Sequence, residues 1–149
     1  MKIRFAKIAE ILPLRREVII AGTRRDTPYF PGDRELSARH TGVFEEGRCI
    51  GCATFLLGEW QGKPAWRLRG MATAAGRQRQ GIGRALLAFA ERELPAVART
   101  EILWCSARES ALGFYERMGW SVVSKPFVVE HIGTHYQMVR QMGEKPRSG

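Results

Sequence analysis

The chain predicts a mixed α/β fold, and three features of its order carry that prediction. Short glycine turns join strand-like runs in the first half, a strand, loop, helix and strand follow from residue 65, and two further strand-like runs close the chain. Together they describe a mixed, mostly antiparallel central sheet containing one parallel βαβ unit and flanked by helices. At 149 residues the chain is long enough for one sizeable core. Residues 1–142 are expected to form a single domain and residues 143–149 a flexible polar tail.

Taken in order, residues 2–8 alternate as a first strand. Ile8 to Ala21, with Ile11, Leu12, Leu14, Val18, Ile19 and Ile20, predicts a helix that Gly22 can end. Residues 23–39 hold Pro28, Pro31 and Gly32 without a sustained period, which predicts a long loop able to line a site. His40–Glu45 and Arg48–Trp60 flank Glu46-Gly47, a hairpin signal, and Gln61-Gly62-Lys63 turns the chain into a strand over Ala65–Thr73. Ile82, Leu86, Phe89 and Ala90 share one face of a helix that Pro95 is expected to interrupt, and Glu101–Cys105 reads as a short buried strand. Ala111, Phe114, Tyr115 and Met118 mark another helix, closed by Gly119. Ser121–Val129 and Thr134–Gln141 are the last two strands.

The segment Gly70 to Leu87 carries the chemistry. It runs from a strand end through a basic, glycine-containing loop into an amphipathic helix. Gly81 and Gly83 let a ligand approach the backbone, the first helix amides lack intrahelical partners, and the helix dipole adds partial positive charge. Such an N-terminus suits an anion, and Arg77, Arg79 and Arg84 favour one bearing phosphates. A Walker loop is excluded, because the chain's Gly62-Lys63 is followed by Pro64. A dinucleotide fingerprint would need glycine where Leu86 stands.

The net charge of +9 would draw in an anionic partner, yet the basic residues are dispersed and not interleaved with aromatics. That dispersion argues against nucleic acid. No stretch approaches a membrane span, so a cytoplasmic protein without a membrane partner is expected, as a monomer or homodimer. Cys49 and Cys52 lack a second ligand pair for zinc, and on a regular strand residues three apart point to opposite faces. They and Cys105 read as core thiols with no metal.

Gln78-Arg79-Gln80-Gly81-Ile82-Gly83 resembles the Arg/Gln-x-x-Gly-x-Gly/Ala pattern of the GNAT superfamily of N-acetyltransferases. Leu68–Thr73 is similar to that family's central strand, Phe114–Trp120 to its Tyr-x-x-x-Gly-aromatic signature, and Gly133–Met138 to a C-terminal strand of some bacterial members. The resemblance implies acetyl-CoA as co-substrate, a cleft for it at the parallel pair, and a primary amine of a small molecule or peptide as acceptor. A non-catalytic acyl-CoA-binding module on the same fold is the alternative, and a basic nucleic-acid-binding protein a more distant one. The backbone of Met71, Ala72 and Thr73 would meet the pantetheine arm, while Gln78, Arg79, Gln80, Gly81, Ile82, Gly83 and Arg84 would surround the pyrophosphate. Arg108 departs from the asparagine found in many members and is a further candidate phosphate contact.

Acetyl transfer to an amine needs a free lone pair. An alkyl amine of pKa about 10.4 is protonated at pH 7, so a base helps, and the departing thiolate needs a proton. Tyr115 stands at the family's position for that acid. His135, His40 and Glu45 are the candidate bases, with Glu59 a lesser one. Trp104 borders either the acetyl group or the core, and Tyr29, Phe30, Asp33 and Glu35 shape the acceptor pocket or remain solvated on the loop.

Overall fold

A computed structural model describes residues 1–143. Its strands are β1 (Lys2–Ala6), β2 (Arg39–Glu45), β3 (Arg48–Trp60), β4 (Lys63–Thr73), β5 (Ile102–Arg108), β6 (Ser121–Val122), β7 (Phe127–Val129) and β8 (Gly133–Gln141), and its helices α1 (Ile8–Arg15), α2 (Ile82–Val97) and α3 (Leu112–Arg117). The hydrogen-bonded strand order is β1-β2-β3-β4-β5-β8-β6, with β7 also on β8. β4 and β5 are parallel, whereas β1–β2, β2–β3, β5–β8, β6–β8 and β7–β8 are antiparallel. This is the mixed, mostly antiparallel sheet that the order of turns and helices predicts. Apart from Gly143, the tail expected to be flexible lies outside the described residues. Among the described residues no helix is long and apolar enough to cross a membrane.

The chain divides into two compact units, one made of Met1–Leu57 with Leu68–Ala98, the other of Gly58–Arg67 with the chain from Arg99 onward. In the first unit, Glu46 and Gly47 both take positive φ, 51° and 78°, the two-residue turn whose twist matches paired strands. Ile11 and Leu14 of α1, Val43 of β2, Ile50 and Cys52 of β3, Ala72 and Ala74, and Ile82 and Leu86 of α2 make one buried cluster. Gly51 is obligatory there, since a Cβ would run into the Ile82 side chain.

The first helix continues as expected to Ile20, but its end is π-helical over Arg16–Ile20, closed by the Ala21 amide donating to the Arg16 carbonyl at 2.8 Å. α2 does not stop at Pro95. The proline lies in its last turn, where one missing N–H is tolerated, and the Ala98 amide still reaches the Leu94 carbonyl at 3.1 Å. The two cysteines of β3 depart from simple alternation. A register shift at Val43/Phe44 lets Cys49 pack against the same cluster that contains Cys52, and burial raises both thiol pKa values, that of Cys52 to about 12.

In the second unit, Ala65, Trp66 and Arg67 pair with Ile102, Leu103 and Trp104. β5 runs past the expected Cys105 to Arg108, because Ser106, Ala107 and Arg108 find partners in Gln137, Tyr136 and His135 of β8. The strand expected over Ser121–Val129 is broken into β6 and β7. Pro126 has no N–H and Ser124 turns its hydroxyl to accept from the Gln137 amide at 2.8 Å, so the ladder is interrupted between them.

Candidate active site

The loop after β4 is built from its own residues. The Ala74 amide is tied to the Ile50 carbonyl at 2.9 Å, and the Arg77 amide closes a turn on the Ala74 carbonyl at 3.0 Å. Gly76, Arg79 and Gly81 then take φ of 81°, 64° and 80°, left-handed conformations that cost little at glycine and more at Arg79. Gly81 is the N-cap of α2, and the first intrahelical bond runs from the Ala85 amide to the Gly81 carbonyl at 2.9 Å. The amides of Ile82, Gly83 and Arg84 therefore precede the ladder and point out of the helix end. A Cβ at Gly76 or Gly81 would meet open space, and Gln78, Arg79, Gln80 and Arg84 are exposed. The Ile82 side chain, 2% exposed, anchors this end in the core.

Glu45 holds the loop from β2. Its carboxylate accepts from both terminal nitrogens of Arg77 at 2.8 and 3.0 Å, while Arg77 Nε donates to Gln80 Oε1 at 2.9 Å. The Arg77 hydrogen bonds hold the Glu45 carboxyl below its ordinary pKa.

Arg15 and Asp33 form a buried ion pair that sequence reading does not reveal. Arg15 of α1 is 0% exposed and Asp33 4%. Arg15 Nη1 donates to Asp33 Oδ2 at 2.6 Å and to the Pro28 carbonyl at 3.0 Å, and Nη2 donates to Thr54 Oγ1 at 2.8 Å. His40 completes the network. Its Nε2 lies 3.1 Å from the Asp33 carbonyl, which only accepts, so that nitrogen carries the proton and Nδ1 accepts from the Thr54 hydroxyl at 2.8 Å. Desolvation is the main cause of the lowered His40 pKa. Asp33 is thus a buried structural anion in this network, not a solvated loop residue. Phe30 belongs to the same assembly: its amide donates to Asp33 Oδ2 at 2.6 Å and its ring carries the Arg15 guanidinium at 4.5 Å.

Phe30 and Arg15 meet β4 at Gly70. This residue has φ of 63° within the strand, and a Cβ there would stand 3.0 Å from the Phe30 ring and 3.2 Å from Arg15 Nε. The strand is therefore distorted immediately before Met71 and Ala72. An isolated glycine inside a strand pattern is the signal that could have marked this point.

In the second unit, Tyr115 of α3 sits above a helix end of defined form. The Gly119 amide reaches the Glu116 carbonyl and the Trp120 amide the Tyr115 carbonyl, each at 3.0 Å, with Gly119 at φ 93°. That is a Schellman closure, and its hydrophobic contact is the Tyr115–Trp120 ring pair at 5.1 Å. Tyr115 is 8% exposed, and burial pushes its phenol pKa upward, so it stays protonated. His135 is buried on β8. Its Nδ1 donates to the Gly133 carbonyl at 2.9 Å, leaving Nε2 as the nitrogen with the lone pair in the neutral ring. Arg108, opposite His135 in the ladder, is exposed. Trp104 is half-buried instead of filling the core, between Trp60 at 5.0 Å and the Arg67 guanidinium at 4.6 Å.

A model of the Acetyltransferase (GNAT) family matches residues 10–120, which span the glycine loop, α2 and the Tyr115 helix. The chain belongs to the GNAT family. It is 29% identical over 148 residues to the uncharacterized N-acetyltransferase YitI of Bacillus subtilis (strain 168), a match covering 95% of this chain and 97% of that protein. Its fold is that of an acyl-CoA N-acyltransferase from Pseudomonas aeruginosa, with a TM-score of 0.78, 16% identity and coverage of 94% of this chain and 99% of the other. An aminoglycoside 6'-N-acetyltransferase solved with coenzyme A also shares it, with a TM-score of 0.73, 13% identity and coverage of 99% and 100%.

This GNAT protein is accordingly an acyltransferase enzyme. The structure brings Gln78 to Arg84 together in one loop and helix end, with Met71, Ala72 and Thr73 on the strand that leads into it. His40 and Glu45, both on β2, are bound into separate internal networks, the Arg15–Asp33 pair and the Arg77 contact. Sequence reading singles out neither Arg15 nor Thr54, and marks Gly70 only as the start of the segment that carries the chemistry.

Proposed function

We propose that this GNAT enzyme transfers the acetyl group of acetyl-CoA directly to a primary amine. The observation that carries the reading is the loop with left-handed Gly76, Arg79 and Gly81 that opens α2, whose leading amides and exposed Gln78, Arg79, Gln80 and Arg84 suit a pyrophosphate. Room at both glycines supports the fit. Met71 and Thr73 would bind the pantetheine arm through their backbone as an added strand, and an amide near Met71 or Ala72 would receive the oxyanion as the amine attacks. Arg108 is a further candidate phosphate contact. Residues 1–142 would serve as one acetyltransferase domain.

Tyr115 is the proposed acid that protonates the departing thiolate, in keeping with a phenol that burial holds neutral. Of the candidate bases, His135 is the one proposed to take the proton of the amine, directly or through water. Its Nε2 retains a lone pair, whereas both His40 nitrogens serve the Arg15 network and Glu45 serves Arg77.

Calorimetric titration with acetyl-CoA, followed by release of free CoA thiol in the presence of amines, tests the reading. Absence of binding at millimolar acetyl-CoA overturns it. Tyr115→Phe keeps the ring against Trp120 and is expected to lower kcat by about a hundredfold with cofactor affinity retained. Unchanged kcat would remove the role of Tyr115.

A further inference from the structure

We propose that Trp60, Arg67 and Trp104 form a binding site for an aromatic carboxylate, its ring stacked on the indoles and its carboxylate paired with the guanidinium. None of the three belongs to the loop over 74–81, and the assignment stands independently of acetyl transfer.

The register of the sheet brings them together. Arg67 is opposite Trp104 in the parallel pair of β4 with β5, so the two side chains leave the same face. Trp60 ends β3, with its ring 5.0 Å from that of Trp104, and the Arg67 guanidinium stands 4.6 Å from the Trp104 ring. This is not the core face of the sheet. Along β5, Leu103, Cys105 and Ala107 are buried, whereas the alternating Ile102, Trp104 and Ser106 are half-buried, as are Trp60 and Arg67.

The polar side-chain atoms of the three residues are all donors. Arg67 Nε is buried without a hydrogen-bond partner, and among the described residues no carboxylate pairs with its guanidinium. Burial lowers the Arg67 pKa, and the group acting against it is the Cys105 thiol, not a carboxylate. The two terminal nitrogens of Arg67 are not enclosed with Nε, and neither are the indole nitrogens of Trp60 and Trp104, whereas those of Trp66 and Trp120 are buried. By strand alternation Lys63, which is exposed, adds a second cation to this face, and Glu59 falls on the opposite one. Glu101, which precedes β5, accepts from Gln141 at 3.1 Å.

Donors without an acceptor among them recognise an anion. With Nε enclosed, the open edge of Arg67 is its pair of terminal nitrogens, and two parallel N–H bonds match the two oxygens of a carboxylate. Half-exposed indole rings favour a flat aromatic group beside that carboxylate, through offset stacking.

The test follows the indole N–H signals of all four tryptophans by NMR on the full, isotope-labelled chain, assigned with Trp60→Phe and Trp104→Phe. The probes are naphthoate, naphthamide, cyclohexanecarboxylate and inorganic phosphate. Naphthoate at millimolar concentration is expected to shift the Trp60 and Trp104 signals saturably and to leave those of Trp66 and Trp120 in place. Naphthamide should bind about tenfold more weakly and cyclohexanecarboxylate about threefold more weakly. Arg67→Gln should raise the naphthoate Kd about tenfold or more, and Arg67→Lys, which keeps the charge but not the fork, by less. Circular dichroism confirms that each variant is folded, and the ranking of probes on the wild type depends on no variant. Naphthoate that leaves the Trp60 and Trp104 signals unmoved, naphthamide or phosphate bound as tightly as naphthoate, or an unchanged Kd in folded Arg67→Gln would each overturn the inference.

Discussion

The segment over 21–38 and the loop over 74–81 both adjoin the C-terminal half of β4, yet they are held in opposite ways. The second is shaped largely by its own sequence: three left-handed residues and a short turn, with a half-buried ion pair from Arg77 to Glu45 and the Ala74 amide on the Ile50 carbonyl as anchors. The first has turns of its own, with the Asp33 amide on the Phe30 carbonyl and the Glu35 amide on the Gly32 carbonyl, but it is also held by buried groups outside it, Arg15 from α1 and His40 from β2. The loop proposed to receive acetyl-CoA stays open and accessible. The other segment is fixed by a buried charge pair, which sets the position of Phe30 against Gly70.

Breaking the buried pair should have the largest effect. Asp33→Ala leaves Arg15 charged and enclosed, at a cost of about 3–5 kcal/mol in urea unfolding. A loss below about 1 kcal/mol would mean that Arg15 escapes to solvent and that the two loops are held alike.

Titration of His40 probes the same network more gently. Burial lowers its pKa from the ordinary 6.5, so the unfolded chain binds the proton more readily than the folded one. The neutral ring's contribution to stability is full above that value and declines as pH falls below it. Melting temperature should therefore drop between pH 7 and 5 more steeply in the wild type than in His40→Gln. Equal slopes would assign the acid sensitivity to other groups.

At the proposed cofactor loop the smallest response is expected. Glu45→Gln removes the ion pair with Arg77 and should raise the acetyl-CoA dissociation constant only about two- to fivefold, with the difference shrinking in high salt. A loss of a hundredfold would place this loop in the same class as the buried segment.

The two regions also differ in how far their residues could be read in order. The Glu46-Gly47 hairpin, the Gly81-capped helix and the Gly119 closure are local events, decided by backbone conformations that glycine permits. The break at Ser124–Pro126 and the continuation of α2 through Pro95 were misread because a proline's effect depends on which neighbour its missing N–H would have met. The opposite-face placement of Cys49 and Cys52 failed for a related reason: the shift at Val43/Phe44 is a property of two strands together. For the site, Gln78 to Arg84 and Tyr115 could be marked from their motifs. Arg15 could not, since nothing near it in sequence shows that its partner stands 18 positions away.

By itself the sequence determined the element order, the glycine-shaped helix entry and, through the joint occurrence of several motifs, the GNAT family. Those depend on periodicity and on conformations set within a few residues. Tertiary structure alone decided that Asp33 is buried with Arg15, that both nitrogens of His40 are engaged, and that Phe30 lies on Gly70 with arginines around it. These outcomes follow from desolvation and packing among distant segments, which is why the glycine loop is legible in the chain and the surroundings of Phe30 emerge only when it folds.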